Sequence, residues 1–266
     1  MINRAATAIL CLAVSSMAYA NPLSEAEKQT ILDAHNATRE TVASGLMPDD
    51  GTDGTYPTAS NMTRLVWNDT LEAVAQGWVG SCPGFAHHPN RLADWLAAGG
   101  DPSVTYLGEN LAARFTSGSL DTITVESMYV LWEEENTLWH YQPYSSATIN
   151  GAGHFTQLVW ANTLEVGCAA AACTQGTFNM RFLACNYIDG ANYLNQYPYQ
   201  AGAPTSACPT GYEPGGGNLC ELPGPALPHV PDGHHTGGTP MTAGRNGTDV
   251  EIAWDVQTCS TASDYN

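Results

Sequence analysis

The chain has 266 residues, 26 acidic side chains against 8 Lys and Arg, and a formal net charge of −18 at neutral pH. So acidic a protein lacks the clustered cations that nucleic acid or an anionic membrane surface would need. No apolar stretch approaches the ~20 residues of a membrane-spanning helix, which excludes an integral membrane protein of that type.

Residues 1–20 have the pattern of a secretory leader. Arg4 supplies the positive end, Ala5 to Met17 is mostly apolar, and Ala18-Tyr19-Ala20 is a small-x-small cleavage signal. Cleavage leaves a mature chain that begins near Asn21 and carries a charge of −19, since Arg4 departs with the leader. The expected location is extracellular, or periplasmic in a bacterial source, where cysteines oxidise to disulfides.

Ser24-x-x-Glu27 is a capping box that opens a first helix through Ile31, Ala34, His35 and Thr38. Residues 44–61, rich in Gly, Asp, Pro, Thr and Ser, form a long loop. A second helix is capped by Asn68 or Asp69, with Leu71, Val74, Ala75, Trp78 and Val79 on its apolar face. Residues 80–105 are loop-like apart from a short helix around Leu92 to Ala98. A third helix is expected from about Thr122 to Trp139, with Val125, Met128, Tyr129, Trp132, Glu135 and Trp139 on one face. Glu133 and Glu134 fall outward, whereas Glu135 lies on the apolar stripe, where a carboxylate is expensive to bury unless donors or a cation satisfy it.

Strand-like runs follow at Phe155 to Trp160, Glu165 to Ala172 and Phe178 to Ile188. The last two flank a hairpin connection at Thr174-Gln175-Gly176-Thr177. Cys168 and Cys185 are equidistant from its centre, so closing the hairpin sets them opposite each other at disulfide range. From Gly202 the composition turns to Pro, Gly, Thr and Ser, with one short strand expected at Val250 to Trp254. Cys208 and Cys220 bracket an eleven-residue loop, readable as a stapled appendage. With Cys11 lost in the leader, Cys259 is the odd cysteine, unpaired or intermolecular. The domain reading is a leader over 1–20, a main domain over 21–201, and an irregular, disulfide-containing extension over 202–266. His229, His234 and His235 in that extension are expected to be solvated rather than a metal site. Asn36, Asn61, Asn68 and Asn246 each begin an Asn-x-Thr sequon, relevant where the source glycosylates.

Seven blocks, taken in order, resemble the CAP superfamily of cysteine-rich secretory, venom-allergen and pathogenesis-related proteins. They are Ile31-Leu32-Asp33-Ala34-His35-Asn36 with Arg39; Leu65-Val66-Trp67-Asn68 leading to Ala75-Gln76-x-Trp78 and Cys82; Gly108-Glu109-Asn110-Leu111-Ala112; and Trp132-x-x-Glu135. Gly153-His154-Phe155-Thr156-Gln157-Leu158-Val159-Trp160, Val166-Gly167-Cys168-Ala169 and Ala184-Cys185-Asn186-Tyr187 complete the set. The resemblance implies an α+β fold, an α-β-α sandwich around a central antiparallel sheet. Together with elimination, it pairs Cys82 with Cys173.

It also implies a cleft lined by two His and two Glu. Matching blocks place Glu109, Glu135 and His154 there. The family sets its first histidine four residues after the cysteine, where this chain has Ala86; the aromatic-x-His run Phe85-Ala86-His87 favours His87 over His88. Two imidazoles and two carboxylates suit Zn2+ or another divalent cation by ligand type. The resemblance favours a non-enzymatic binding module that recognises a sterol, another lipid or another extracellular ligand. The alternative is a metal-dependent hydrolase, protease or esterase, with Glu109 or Glu135 as general base. The chain has neither an HExxH helix nor a GxSxG elbow to support the hydrolase.

Overall fold

A computed structural model describes residues 22–49, 54–146, 151–223, 242–246 and 249–253. The leader, Trp254, Cys259 and the tail histidines lie outside the described residues. Helix α1 (Glu25–Ala43) begins at the expected capping box: Ser24 Oγ accepts from Glu27 N, and the Glu27 carboxylate accepts from Ser24 N. Within the 44–61 loop, strands β1 (Pro48–Asp49) and β2 (Gly54–Thr55) pair antiparallel. Strand β3 (Val66–Trp67) leads into α2 (Asp69–Gly80), where Asn68 Oδ1 caps the Thr70 and Leu71 amides. Then come α3 (Arg91–Ala97), β4 (Gly108–Thr116), α4 (Val125–Glu133), α5 (Gly153–Leu158), β5 (Glu165–Gln175) and β6 (Phe178–Ile188).

The central sheet has the order β3-β5-β6-β4. Strands β5, β6 and β4 are antiparallel neighbours, and the two-residue β3 adds a parallel edge. Both sheet faces are apolar because alternate residues serve separate layers. Ala169, Ala171, Phe182 and Ala184 pack with Ala75 and Val79 of α2. Cys168, Ala170, Leu183, Cys185 and Tyr187 pack with Ile31 of α1, Met128 and Trp132 of α4, and Phe155 of α5. Helix α2 lies so close that a Cβ on Gly167 would come 2.4 Å from the Glu72 amide nitrogen. The result is the expected helix-sheet-helix sandwich.

The hairpin closes through Gly176 and Thr177, with Gly176 at φ +62°, and sets Cys168 directly opposite Cys185. Disulfides join Cys168 to Cys185, Cys82 to Cys173, and Cys208 to Cys220. Residues 202–221 belong to the same compact unit as the sheet: Arg64 N donates to Cys220 O, Cys220 N donates to Met62 O, and Arg64 pairs with Glu221. The short strands β7 (Glu213–Pro214) and β8 (Cys220–Glu221) pair there. A second unit contains an antiparallel hairpin of β9 (Thr242–Asn246) and β10 (Asp249–Ala253).

Two expectations need correction, and one strand was not foreseen. Residues 155–160 are not a strand: most of that run belongs to α5, and Phe155, Thr156, Gln157 and Leu158 are all buried. A short run buried on every side carries no period that separates helix from strand. The third helix ends at Glu133, and residues Glu134–Leu138 tighten into a 3-10 turn that redirects Glu135. Strand β4 was legible only as a sequence block, because Leu111 and Ala112 face opposite layers and both are buried, which hides the period-2 alternation.

Candidate functional site

Glu109 is the second residue of β4 and points to the α2 side of the sheet, as does its cross-strand neighbour Asn186. His87 comes from the loop after α2. Its Nδ1 lies 2.6 Å from Glu109 Oε1, and the His88 amide donates to the same oxygen at 3.0 Å. The Glu109 side chain is only 1% exposed, whereas that of His87 is 60% exposed. Glu109 Oε2 is buried and has no hydrogen-bond partner among the described residues. An ionised carboxylate in that state lacks one of its usual ligands or donors. His88 takes another role: its ring stacks on Trp78 at 4.6 Å between centroids, and Nε2 meets Asp94 at 3.0 Å. Between the two candidate histidines, His87 is the partner of the acid.

The second pair forms at the start of α5. That helix has no side-chain cap of its own at Ala152. Glu135 supplies one from the 3-10 turn: Oε2 accepts from the His154 amide at 2.9 Å and the Phe155 amide at 3.2 Å, and Oε1 accepts from His154 Nδ1 at 2.6 Å. Three donors thus satisfy a carboxylate that sequence periodicity placed on an apolar stripe, and its negative charge sits at the positive end of a helix. The His154 ring stacks near Trp132, 6.2 Å between centroids.

The two pairs meet the same end of β4. Asn110, next to Glu109, donates through Nδ2 to the His154 carbonyl at 3.1 Å. Tyr187 and His35 continue from there: the Tyr187 hydroxyl is 2.9 Å from His35 Nε2, and His35 Nδ1 donates to the Ile31 carbonyl at 2.7 Å. Burial holds His35 neutral, pushing its pKa down to about 4. Burial likewise pushes the Tyr187 hydroxyl up. Behind this row, fully buried Arg39 donates only to main-chain and threonine oxygens, among them Thr63 O at 2.6 Å and Leu158 O at 2.9 Å. It ties α1 to the loops flanking α5. Sequence reasoning missed the supporting roles of Asn110, Tyr187 and Arg39; the available signal was polar residues at buried periodic positions. A further pair, His140 with Asp49, was also missed, because 91 residues separate its members.

The structure therefore brings His87 to Glu109 and His154 to Glu135. Among the described residues, no set of three or more His, Cys, Asp or Glu side chains is placed to hold a metal ion. The donor chemistry nevertheless suits a divalent cation. Each imidazole spends Nδ1 on a carboxylate, and among the described residues neither Nε2 nor Glu109 Oε2 has a protein partner.

The sequence profile of the cysteine-rich secretory protein family, CAP, matches residues 32–187. This chain belongs to the CAP family. It is 35% identical to venom allergen 5 2 of Polybia paulista over 178 residues, covering 66% of this chain and 81% of that protein. It is also 35% identical to venom allergen 5 of Polistes dominula over 176 residues, covering 66% of this chain and 72% of the relative. Among solved structures, NaASP2 with Zn2+ superimposes with a TM-score of 0.62 at 27% identity, covering 75% of this chain and 97% of NaASP2. BmVAL-1 superimposes at 0.63 and 26% identity, covering 75% and 95% of the two chains. The three disulfides of this CAP protein fit an extracellular environment. No helix among the described residues is long and apolar enough to cross a membrane.

Proposed function

We propose that this CAP protein is an exported, non-catalytic binding module in which His87 and His154 are the metal-facing residues and Glu109 and Glu135 hold their rings. The observation that carries the reading is the shared polarity of the two pairs: Nδ1 to carboxylate, Nε2 free. A carboxylate on Nδ1 fixes the tautomer and makes Nε2 the more basic ligand, the usual arrangement behind metal-bound histidine. NaASP2, similar over three quarters of this chain, was solved with Zn2+, which supports zinc as the first cation to test. Secretion accords with the venom allergens it resembles and with its disulfides.

Recognition of a sterol or other lipid is the second half of the reading. Its support is local: Phe85, Leu96 and Tyr106 expose large apolar surface on the segment that carries His87. The hydrolase reading keeps one observation in its favour, the unpartnered Glu109 Oε2, which has the form of a general base. A bound divalent cation would supply an acidified water there. Chelator-sensitive esterase or protease turnover that vanishes in Glu109→Gln would establish that alternative.

Zinc titration calorimetry at pH 7 tests the main proposal. The expected result is saturable binding that weakens at least tenfold in His154→Ala and in His87→Ala, since each removes one ligand. Unchanged affinity in His154→Ala overturns it. Lipid extraction from protein purified from its native host tests the second half; an extract free of sterol and other lipid counts against it.

A further inference from the structure

A second surface, distinct from the histidine pairs, has the makings of a ligand site. It is a cavity of about 550 Å³ whose lining includes Asn61, Tyr141, Asn162, Gln196, Tyr197 and Gln200. No ionised side chain lines it, although the chain carries a net charge of −18. The aromatic part is a cluster of tyrosines. The Tyr141 ring lies 4.9 Å from both Tyr197 and Tyr199, centroid to centroid. Tyr199 is buried as the base and Tyr197 is 49% exposed as the ledge. The polar part is carboxamide. Asn162, Gln196 and Gln200 have no side-chain hydrogen bond to the described protein, leaving donors and acceptors together at the rim.

The walls are held in place without any ligand. Tyr141 Oη donates to Tyr199 O at 2.9 Å and accepts from Ala201 N at 3.1 Å; Ala161 N donates to Pro198 O at 2.7 Å, and Ser60 N to Gln200 O at 2.8 Å. Such preorganisation lowers the ordering cost of binding. A ligand complementary to this surface is uncharged, has an apolar face for Tyr197, and bears hydroxyls that both donate and accept. An acidic or basic ligand would find no countercharge there. We infer that the Tyr141–Tyr197 ledge is a binding site for a neutral saccharide.

The sugar has two conceivable sources, a soluble oligosaccharide or the protein's own N-glycan. Asn61 begins a sequon and lines the cavity, and its Oδ1 accepts from Gln200 N at 2.8 Å while its Nδ2 has no hydrogen bond to the described protein. The sequon residues Asn36 and Asn68 differ, since their Nδ2 atoms donate to Leu65 O and to Glu165. A glycan on Asn61 would start at the rim of the ledge.

The test uses the full mature chain, oxidised, from a host without N-glycosylation. It is titrated with three neutral trisaccharides (chitotriose, mannotriose and maltotriose), with tyrosine fluorescence and heteronuclear NMR shifts as readouts. The expected outcome is saturable binding of at least one sugar, weakened tenfold or more in Tyr197→Ala, several-fold in Asn162→Ala, and retained in Tyr197→Phe, which keeps the ring face. Tyr197 is half exposed, so these variants should fold, and a thermal melt checks that they do. No saturable response to any of the three, or equal affinity in Tyr197→Ala, overturns the site. A parallel preparation from a glycosylating host separates the sources. Binding lost there and restored by enzymatic removal of N-glycans assigns the ledge to the Asn61 glycan, whereas binding retained assigns it to a soluble saccharide.

Discussion

The two histidine–glutamate pairs share one bond and differ in nearly everything around it. In His87–Glu109 the acid is sealed beneath the loop after α2, one oxygen has no partner, and the imidazole stands in solvent. In His154–Glu135 the acid is saturated by a ring nitrogen and two amides, and the imidazole lies against Trp132. The contrast separates two uses of a carboxylate. Glu135 is first a helix cap, and its hold on His154 comes with that structural duty. Glu109 receives one amide and one ring nitrogen on a single oxygen and keeps the other oxygen buried without a partner among the described residues.

Substitutions that strip each acid should therefore behave unequally. Glu135→Ala leaves two amides at the start of α5 and the His154 ring without their acceptor, and should lower stability by about 3–4 kcal/mol in urea unfolding. A loss below about 1 kcal/mol would remove the capping role and with it the contrast.

His35 provides a reference imidazole with neutral partners only. Its folded pKa of about 4 lies below the ordinary 6.5, so the unfolded chain takes up a proton that the folded chain refuses. The stabilisation is complete above pH 6.5 and is lost as pH falls toward 4, amounting to about 3 kcal/mol over that window. Unfolding free energies of wild type and His35→Gln measured between pH 7 and 4 should diverge in slope, the wild type falling more steeply. Parallel curves would mean that burial does not lower the His35 pKa in the fold.

The smallest expected effect is the most telling for the comparison. Glu109→Gln keeps an oxygen for the His88 amide and removes an incompletely satisfied buried charge, so stability should change by less than about 1 kcal/mol. Zinc affinity should nonetheless fall, about tenfold, because His87 loses the carboxylate that fixes its tautomer. A large stability loss with unaltered zinc binding would make Glu109 a second structural acid and equate the two pairs.

Much of this was written locally in the chain. The Ser24–Glu27 capping box, the apolar face of α2 and the turn at Gly176 are short-range instructions, each specified within a few residues. The Cys168–Cys185 bridge belongs with them, since strand pairing around a two-residue turn makes the register a matter of counting. His87, Glu109, Glu135 and His154 were expected as a set only through the resemblance of their blocks to the CAP family, because no local spacing joins residues so far apart in the chain.

What it left open was decided at long range. Nothing near Glu135 announces that the third helix stops at Glu133, or that Glu135 then caps the start of α5, nineteen residues on. Nothing near residue 155 separates helix from strand, because a run buried on all sides has no face to show. Whether a carboxylate becomes a cap or an open ligand depends on how many donors the finished packing brings within hydrogen-bond reach. That number follows from the meeting of distant segments, which local propensity and periodicity do not encode.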